Sequence, residues 1–362
     1  MTKLLGNLTL RQARRDDISA ILAWLNAPAF LAATRATRMS EIEMAEGRKA
    51  LQTMLDRNEC FVAVHDNIRI AAIICKNYEA VDSDRCPVWF IPRLRLDWVT
   101  RMDEVLDEAR RITDNSRKHS FEPELAPLVS ESTDIVVEKA IKFRVTGQRA
   151  LVLGPEERSK IPIDALRSNG YEVHLGSHHD EIYTKGPYDL IVCSGYHLRI
   201  PQSICDAFTG RIINIHAGCL PWARGIGLTL FAALLGYPLG TSIHLIDSGL
   251  DTGDLLLESR MSYKPDDTLR TLYSRMLSEV NHLFVRFLNQ LSLGNATQVP
   301  QQQINPRAFA RTRTEFETVL EICPNGYDTQ INEIRSLAIA MKAIVAFRSH
   351  LALSDSERSK GL

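Results

Sequence analysis

The sequence holds no CxxC pair, no run of the roughly 18 consecutive apolar residues that a membrane span needs, and no surplus of either charge. Each absence closes off a class of function. The seven cysteines, at 60, 75, 86, 193, 205, 219 and 323, are odd in number, scattered and mostly set inside apolar runs, which excludes a disulfide framework. They are expected as reduced core residues of a cytoplasmic protein. "MTKLLGNLTLRQARRDD" lacks the apolar stretch of a signal peptide, so neither secretion nor a membrane partner is expected. With 43 Lys and Arg against 44 Asp and Glu, the net charge of −1 gives no electrostatic case for a nucleic-acid partner. No internal repeat and no low-complexity tract is present.

What is there is the composition of an ordinary globular protein, 45% hydrophobic and 24% charged over 362 residues. That length exceeds what one core usually serves, so two or three domains are expected. Up to about residue 115 the pattern gives strand, helix, hairpin, strand, helix. "NLTLRQA" alternates as a strand does, and "RDDISAILAWLNAPAF" opens on acidic residues and continues with apolar positions at helical spacing. "CFVAVHDNIRIAAIICKNYEAV" supplies two strands around the turn-forming Asp66 and Asn67, and "VWFIPRLRLDWV" a further strand. "TRMDEVLDEARRIT" places Met102, Val105, Leu106, Ala109 and Ile112 on one side of a helix. The polar stretch "DNSRKHSFEPELAPLVSEST", with two prolines, marks a boundary.

From about residue 148 the rhythm changes: "RALVLGP", "YEVHLGS", "YDLIVCSG", "RIINIHAG" and "TSIHLIDSG" are short apolar strands ending in Gly or Pro. This is the pattern of a parallel sheet, whose ligands bind beyond the carboxyl ends of the strands. "DLLLESRMSY" adds a strand, "DTLRTLYSRMLSEVNHLFVRFLNQL" a long amphipathic helix with Asp267 near its start, and "INEIRSLAIAMKAIVAFRSHLAL" a final helix. The expected division is 1–145, 146–300, and a C-terminal extension with a helix at 301–362.

Three segments end where such a sheet opens its cleft: "CSGYHLRIP" (193–201), "NIHAGCLPWARG" (214–225) and "IHLIDSGLDTG" (243–253). They bring Asn214, His216, His244, Asp247 and Asp251 toward one place, with Asn214 and His216 on the same face of a strand. An amide can donate to a developing oxyanion, an imidazole can donate or shuttle a proton, and a carboxylate can hold that imidazole or accept a proton. Ser248 and Cys219 are near, but neither stands in a nucleophile-elbow sequence, so direct acyl transfer suits these residues better than a covalent intermediate. Purely structural roles, with Asn214 capping a turn and His216 in the core, are open alternatives. So is zinc on His216, His244 and Asp251, although the spacing matches no common zinc pattern and no metal is expected.

In order and spacing, "SGYHLRIP", "INIHAGCLPWARG" and "GTSIHLIDSGLDTGDLL" resemble the formyltetrahydrofolate-dependent formyltransferases, a family that includes glycinamide ribonucleotide, methionyl-tRNA and amino-sugar formyltransferases. The resemblance covers about 148 to 290. It implies an α/β fold with a Rossmann-like, mostly parallel sheet, and N10-formyltetrahydrofolate as co-substrate. It also implies that Asn214, His216 and Asp251 are catalytic. In that mechanism an amine attacks the formyl carbon on N10 while Asn214 and protonated His216 donate to the oxyanion. Asp251 orients His216 and takes the amine's proton, directly or through water, and the leaving folate nitrogen is protonated. The same likeness implies a pteridine pocket from Tyr196, Leu198, Ile200, Leu220 and Asp247. It places Trp222 and Arg224 on the substrate side, in a loop that closes over the site, with Arg224 able to meet an anionic group. The chain departs from the family at Leu228, where Pro is frequent, and in "GTSIH" where "GVTIH" is usual. The acceptor is therefore less fixed than the reaction.

Residues 8 to 112 resemble the GNAT acyltransferase fold, an α+β domain, through "LTLRQARRDDISAILAWLN" and the hairpin "FVAVHDNIRIAAII". The glycine-rich loop that cradles a pyrophosphate in that family is replaced here by "FIPRLRLDWVTRM". Arg93 and Arg95 could still meet phosphate, but bulky Leu94, Leu96 and Trp98 obstruct a close approach of backbone to ligand. A domain without acetyl-CoA chemistry is expected, serving dimerisation, with a homodimer as the expected assembly, or substrate recognition. The expected acceptor is the amine of a small biosynthetic metabolite, first an amino sugar on a nucleotide carrier and second N-hydroxyornithine for a siderophore. The lack of a basic surplus stands against methionyl-tRNA. A formyltetrahydrofolate hydrolase, which also carries a domain ahead of such a core, and a binding protein with a relic core are the other classes.

Overall fold

The first strands pair with their neighbours in sequence. In the computed structural model, which describes residues 8–57, 60–65, 68–75, 88–94, 105, 141–145, 147–184, 187–301, 310–323 and 325–352, the chain divides into two units. One is Met1–Ser132 with Thr314–Leu362, and the other is Thr133–Arg313.

In the first unit β1 (Leu8–Gln12), β2 (Cys60–His65), β3 (Ile68–Cys75) and β4 (Val88–Pro92) form an antiparallel sheet in that order. Helices α1 (Arg15–Leu25), α2 (Pro28–Thr34) and α3 (Glu41–Asp56) lie between β1 and β2 in sequence. Ile18, Ile21, Leu22 and Leu25 of α1 recur at helical spacing and are buried. Beside them the buried Asp17 accepts from the Arg14 amide at 2.7 Å and from Arg11 Nη1 at 2.7 Å, and also from Arg69 Nε. A buried carboxylate is stable only when paired in this way. Arg15–Thr34 is apolar enough by composition to cross a membrane, but it runs as two helices whose Ile21, Leu22, Leu25 and Phe30 are buried in the unit. The expected turn at Asp66 and Asn67, the boundary stretch and, Val105 apart, the helix after residue 100 lie outside the described residues.

The second unit opens with β5 (Ile141–Lys142) and β6 (Arg149–Leu153), followed by α4 (Glu156–Ser168), β7 (Glu172–Gly176), α5 (Glu181–Thr184), β8 (Leu190–Ser194) and α6 (Gln202–Ala207). It continues with β9 (Ile212–His216), β10 (Arg224–Gly225), α7 (Leu228–Leu235), β11 (Gly240–Leu245), β12 (Leu255–Arg260) and α8 (Leu269–Ser292). Two short strands, β13 (Thr297–Gln298) and β14 (Ala310–Arg311), pair with β5 and β10. The central sheet has the order β12-β11-β9-β8-β6-β7. Four of its strands, β7, β6, β8 and β9, are parallel, and the inner β6, β8 and β9 are buried on both faces, which is why they are dominated by apolar residues. On one face Val152, Val192 and Ile213 meet Leu283, Phe284 and Phe287 of α8. On the other, Leu151, Leu153 and Ile191 meet Ile182, Tyr188 and Ile204.

One strand departs from the expected parallel pattern: "TSIHLIDSG" contributes β11, which runs antiparallel to β9. After α7 the chain re-enters the sheet at the end where β9 finished, so that Ser242 pairs with His216 and Leu245 with Ile213.

The last helices are α9 (Arg313–Leu320) and α10 (Ile331–Ala352). They correct the expected extension at 301–362, because the contacts divide it at Arg313. Up to there the chain stays with the central sheet, β14 pairing with β10. Beyond it α10 packs on β4 and α3, where Ile334, Leu337, Met341, Ile344 and Phe347 are fully buried. An apolar stripe of that length must be covered, and the first unit covers it.

Candidate active site

The register between β9 and β11 builds the centre of the site. His244 stands opposite Asn214 and Ser242 opposite His216, and side chains facing one another across such a pair are close enough to interact. His244 Nδ1 lies 2.7 Å from the Leu245 carbonyl, so this nitrogen carries the hydrogen. Its Nε2 is then an acceptor and takes a hydrogen from Asn214 Nδ2 at 3.2 Å, which fixes which end of the Asn214 amide faces the ring. Burial pushes the His244 pKa down to about 4 against the opposing pull of Asp251, so the ring is neutral at ordinary pH.

His216 is also buried, its ring edge-on to that of His244 with centroids 5.7 Å apart. Its Nε2 donates to the Ala223 carbonyl at 2.7 Å, and its Nδ1 faces Asp251 Oδ2 at 4.0 Å. Gly218 keeps that arrangement free: a Cβ there would sit 2.5 Å from His216 Nε2 and 2.9 Å from the Ala223 oxygen. Asp251 arrives from the loop after β11 with φ of +53°, a left-handed conformation that Asp tolerates better than most residues. Its Oδ2 accepts from the Gly225 amide at 2.9 Å. Burial pushes the Asp251 carboxyl up, but His216, His244, the Gly225 amide and Arg224 together outweigh it and hold the group below the usual carboxylate range.

Beside these residues opens a cleft of about 360 Å³, within the usual range for a small-molecule site. Asn214, His244, Asp247 and Asp251 line it together with Tyr196, Leu198 and Ile200 from the loop after β8. Arg199 Nη2 donates to the Ser248 carbonyl at 2.7 Å and so ties that loop to the Asp251 loop. Asp247 accepts from the Gly249 amide at 3.0 Å and from Thr252 Oγ1 at 2.6 Å, closing the latter loop on itself.

Four expected site residues, Leu220, Arg224, Trp222 and His216, are not on the wall of the cleft. Leu220 is fully buried, with its amide donating to Ser242 Oγ at 3.1 Å. Arg224, 2% exposed, turns inward and donates to Gln301 Oε1 at 2.9 Å, which leaves it no open face for an anionic group. Trp222 packs under the Arg260 guanidinium at 4.9 Å and against the Ala232 and Tyr237 cluster. His216 also stands behind the wall, reached through Asp251. His244, expected in this constellation without an assigned role, is the partner of Asn214, and one residue outside the expected set joins the site: Gln301, whose Nε2 donates to the Asp251 carbonyl at 3.1 Å. The ligand atoms of His216, His244 and Asp251 lie within 4.8 Å of one another, but both Nε2 atoms and Asp251 Oδ2 are already hydrogen-bonded within the protein.

Residues 130–288 match the formyl transferase family model. The chain is also 31% identical to the formyltransferase PseJ from Anoxybacillus kamchatkensis, solved in complex with UDP-4,6-dideoxy-4-formamido-L-AltNAc and tetrahydrofolate, over 52% of this chain and 99% of that one, with a TM-score of 0.48. The chain belongs to the formyl transferase family. Among its curated relatives, a methionyl-tRNA formyltransferase from Burkholderia vietnamiensis is 32% identical over 142 residues, 39% of this chain and 43% of that protein. One from Burkholderia multivorans is 27% identical over 197 residues, 54% of this chain and 60% of that protein. The chain thus spans about half the length of the curated relatives it matches. The formyl transferase segment holds Asn214, His216, His244 and Asp251, whereas Gln301 and β14 lie beyond it.

Proposed function

We propose that this chain transfers a formyl group from N10-formyltetrahydrofolate to the amine of a small metabolite, with an amino sugar on a nucleotide carrier as the acceptor. The observation that carries this reading is the disposition of hydrogens at the floor of the cleft. Asn214 Nδ2 has two hydrogens, one of which goes to His244 Nε2, leaving the other to donate to a carbonyl oxygen under attack. His216, anchored through Nε2 on Ala223, can meet that oxygen only through a proton on Nδ1, the atom that faces Asp251. Ionised Asp251 accepts, directly or through water, the proton that the amine sheds as it bonds to the formyl carbon. As the bond from that carbon to the folate nitrogen breaks, one proton is returned to the nitrogen, so the reaction conserves protons. Leu198, Ile200 and Ile246, beside the hydrogen-bonding edge of the Asp247 loop, fit a flat heteroaromatic ring such as a pteridine.

The 31% identity over 99% of a formyltransferase solved with a UDP-sugar favours the nucleotide-sugar acceptor. The methionyl-tRNA formyltransferase relatives favour a second reading, against which stand the net charge of −1 and the partial coverage of those proteins. The deciding experiment incubates the protein with N10-formyltetrahydrofolate and a panel of nucleotide amino sugars, N-hydroxyornithine and methionyl-tRNA, and weighs the products. One added formyl mass on a nucleotide amino sugar supports the proposal. Formylated methionyl-tRNA or N-hydroxyornithine overturns its acceptor, and formate release without any formylated amine overturns transfer in favour of hydrolysis.

A further inference from the structure

Gln301 follows β13, outside the residues that the formyl transferase model matches, yet three of its hydrogen bonds reach the Asp251 loop and Arg224. Its Nε2 donates to the main-chain oxygens of Asp251 at 3.1 Å and Gly253 at 2.5 Å, pinning the chain on both sides of Thr252. Its Oε1 accepts from Arg224 Nη2, while Nε and Nη1 of this buried arginine have no hydrogen-bond partner among the described residues. The next residue, Gly225, gives its amide to Asp251 Oδ2. One side chain therefore joins the backbone of Asp251 to the strand that holds its carboxylate. A residue other than glycine at φ of +53° persists only where its surroundings over-determine it, and Gln301 supplies part of that constraint.

We propose that Gln301 is a positioning residue that sets where the Asp251 carboxylate stands relative to His216 and the Gly225 amide. The proposal rests on the reading of Asp251 as the proton acceptor. Its chemistry separates two substitutions. Gln301→Ala removes all three bonds. Gln301→Glu keeps the length and the acceptor for Arg224 but cannot donate, so the Asp251 and Gly253 carbonyls lose their partner.

The test measures kcat, KM and the pH profile of the full-length protein, with folding checked by circular dichroism. Both variants are expected to lose about tenfold to a hundredfold in kcat while KM for the amine stays within about threefold, because a carboxylate displaced by an ångström still leaves the binding surfaces in place. The acid limb of the profile is expected to move to higher pH. Asp251 then loses contact with the Gly225 amide and Arg224, which with His216 and His244 hold its pKa down, while Asp247 in the same loop carries a like charge. A kcat within about twofold of the parent together with an unmoved acid limb, in folded protein, overturns the proposal. So does loss of folding in both variants, since Gln301 would then hold the fold rather than the carboxylate. Asp251→Asn is run alongside: normal turnover there defeats the formyl-transfer reading itself, whereas an inactive Asp251→Asn with an unaffected Gln301→Glu defeats only the role of Gln301.

Discussion

Asn214 meets His244 with one amide hydrogen and the cleft with the other, so its removal tests the oxyanion role directly. Asn214→Ala is expected to lower kcat by about two to three orders of magnitude, the ~3–4 kcal/mol that one such donor supplies, with tetrahydrofolate binding by calorimetry little changed. His244 gives a prediction in pH. Its pKa falls from 6.5 to about 4 on folding, so below 6.5 the unfolded chain binds more protons than the folded one. The stability that this ring contributes is present above pH 6.5 and drains away as the pH drops toward about 4. Acid titration of the urea midpoint should show that loss in the parent and a shallower one in His244→Gln. Asn214, His216 and Asp251 were legible as residues because polar types at a strand tip and in a Gly-flanked loop stand out from an apolar background. The pairing of His244 with Asn214 was not, because it depends on cross-strand register and on which carbonyl takes the Nδ1 hydrogen. Leu220 and Arg224 were misplaced for a related reason: a motif locates a loop, but the direction of a side chain within it is settled by partners far away in sequence, here Ser242 and Gln301.

Between β9 and α7 the loop is shaped by two glycines with different duties. Gly218→Ala brings a methyl against the His216 ring and the Ala223 carbonyl, so activity is expected to fall much further than the melting temperature. Gly225 sits at φ of +80°, and a Cβ there would lie 2.2 Å from the Arg311 oxygen. Gly225→Ala should therefore cost about 1–3 kcal/mol in urea unfolding by prising β10 from β14, as well as displacing the amide that Asp251 uses. The strands of the central sheet were legible from their apolar runs, but the direction of β11 was not. A strand that runs antiparallel beside four parallel ones has the same composition, and only the pairing of Ser242 with His216 and of Leu245 with Ile213 distinguishes the two arrangements.

At the scale of the molecule, each unit has its own buried core. Calorimetry is expected to show two transitions, of which tetrahydrofolate raises only that of the unit holding the cleft, by about 2.7 kcal/mol at a hundred times its dissociation constant. A single transition would show the units to be energetically one. Length pointed to two or three domains without choosing between them, and the membership of the final helix was not legible, because an amphipathic stripe states that it needs covering without stating by what. The likeness of the first strands to an acyltransferase remains an expectation, since the segment after Leu94 that bears on it lies outside the described residues.

The split of the first unit across Ser132 and Thr314 has a consequence for biosynthesis. A chain emerging from the ribosome presents β1 to β4 long before α10, so the surface of β4 and α3 that α10 covers waits while some 180 residues of the central unit are made and fold. Cutting the chain at Arg313, after β14, would thus leave in place the strands and Gln301 around Asn214 and Asp251 and instead injure the residues synthesised first.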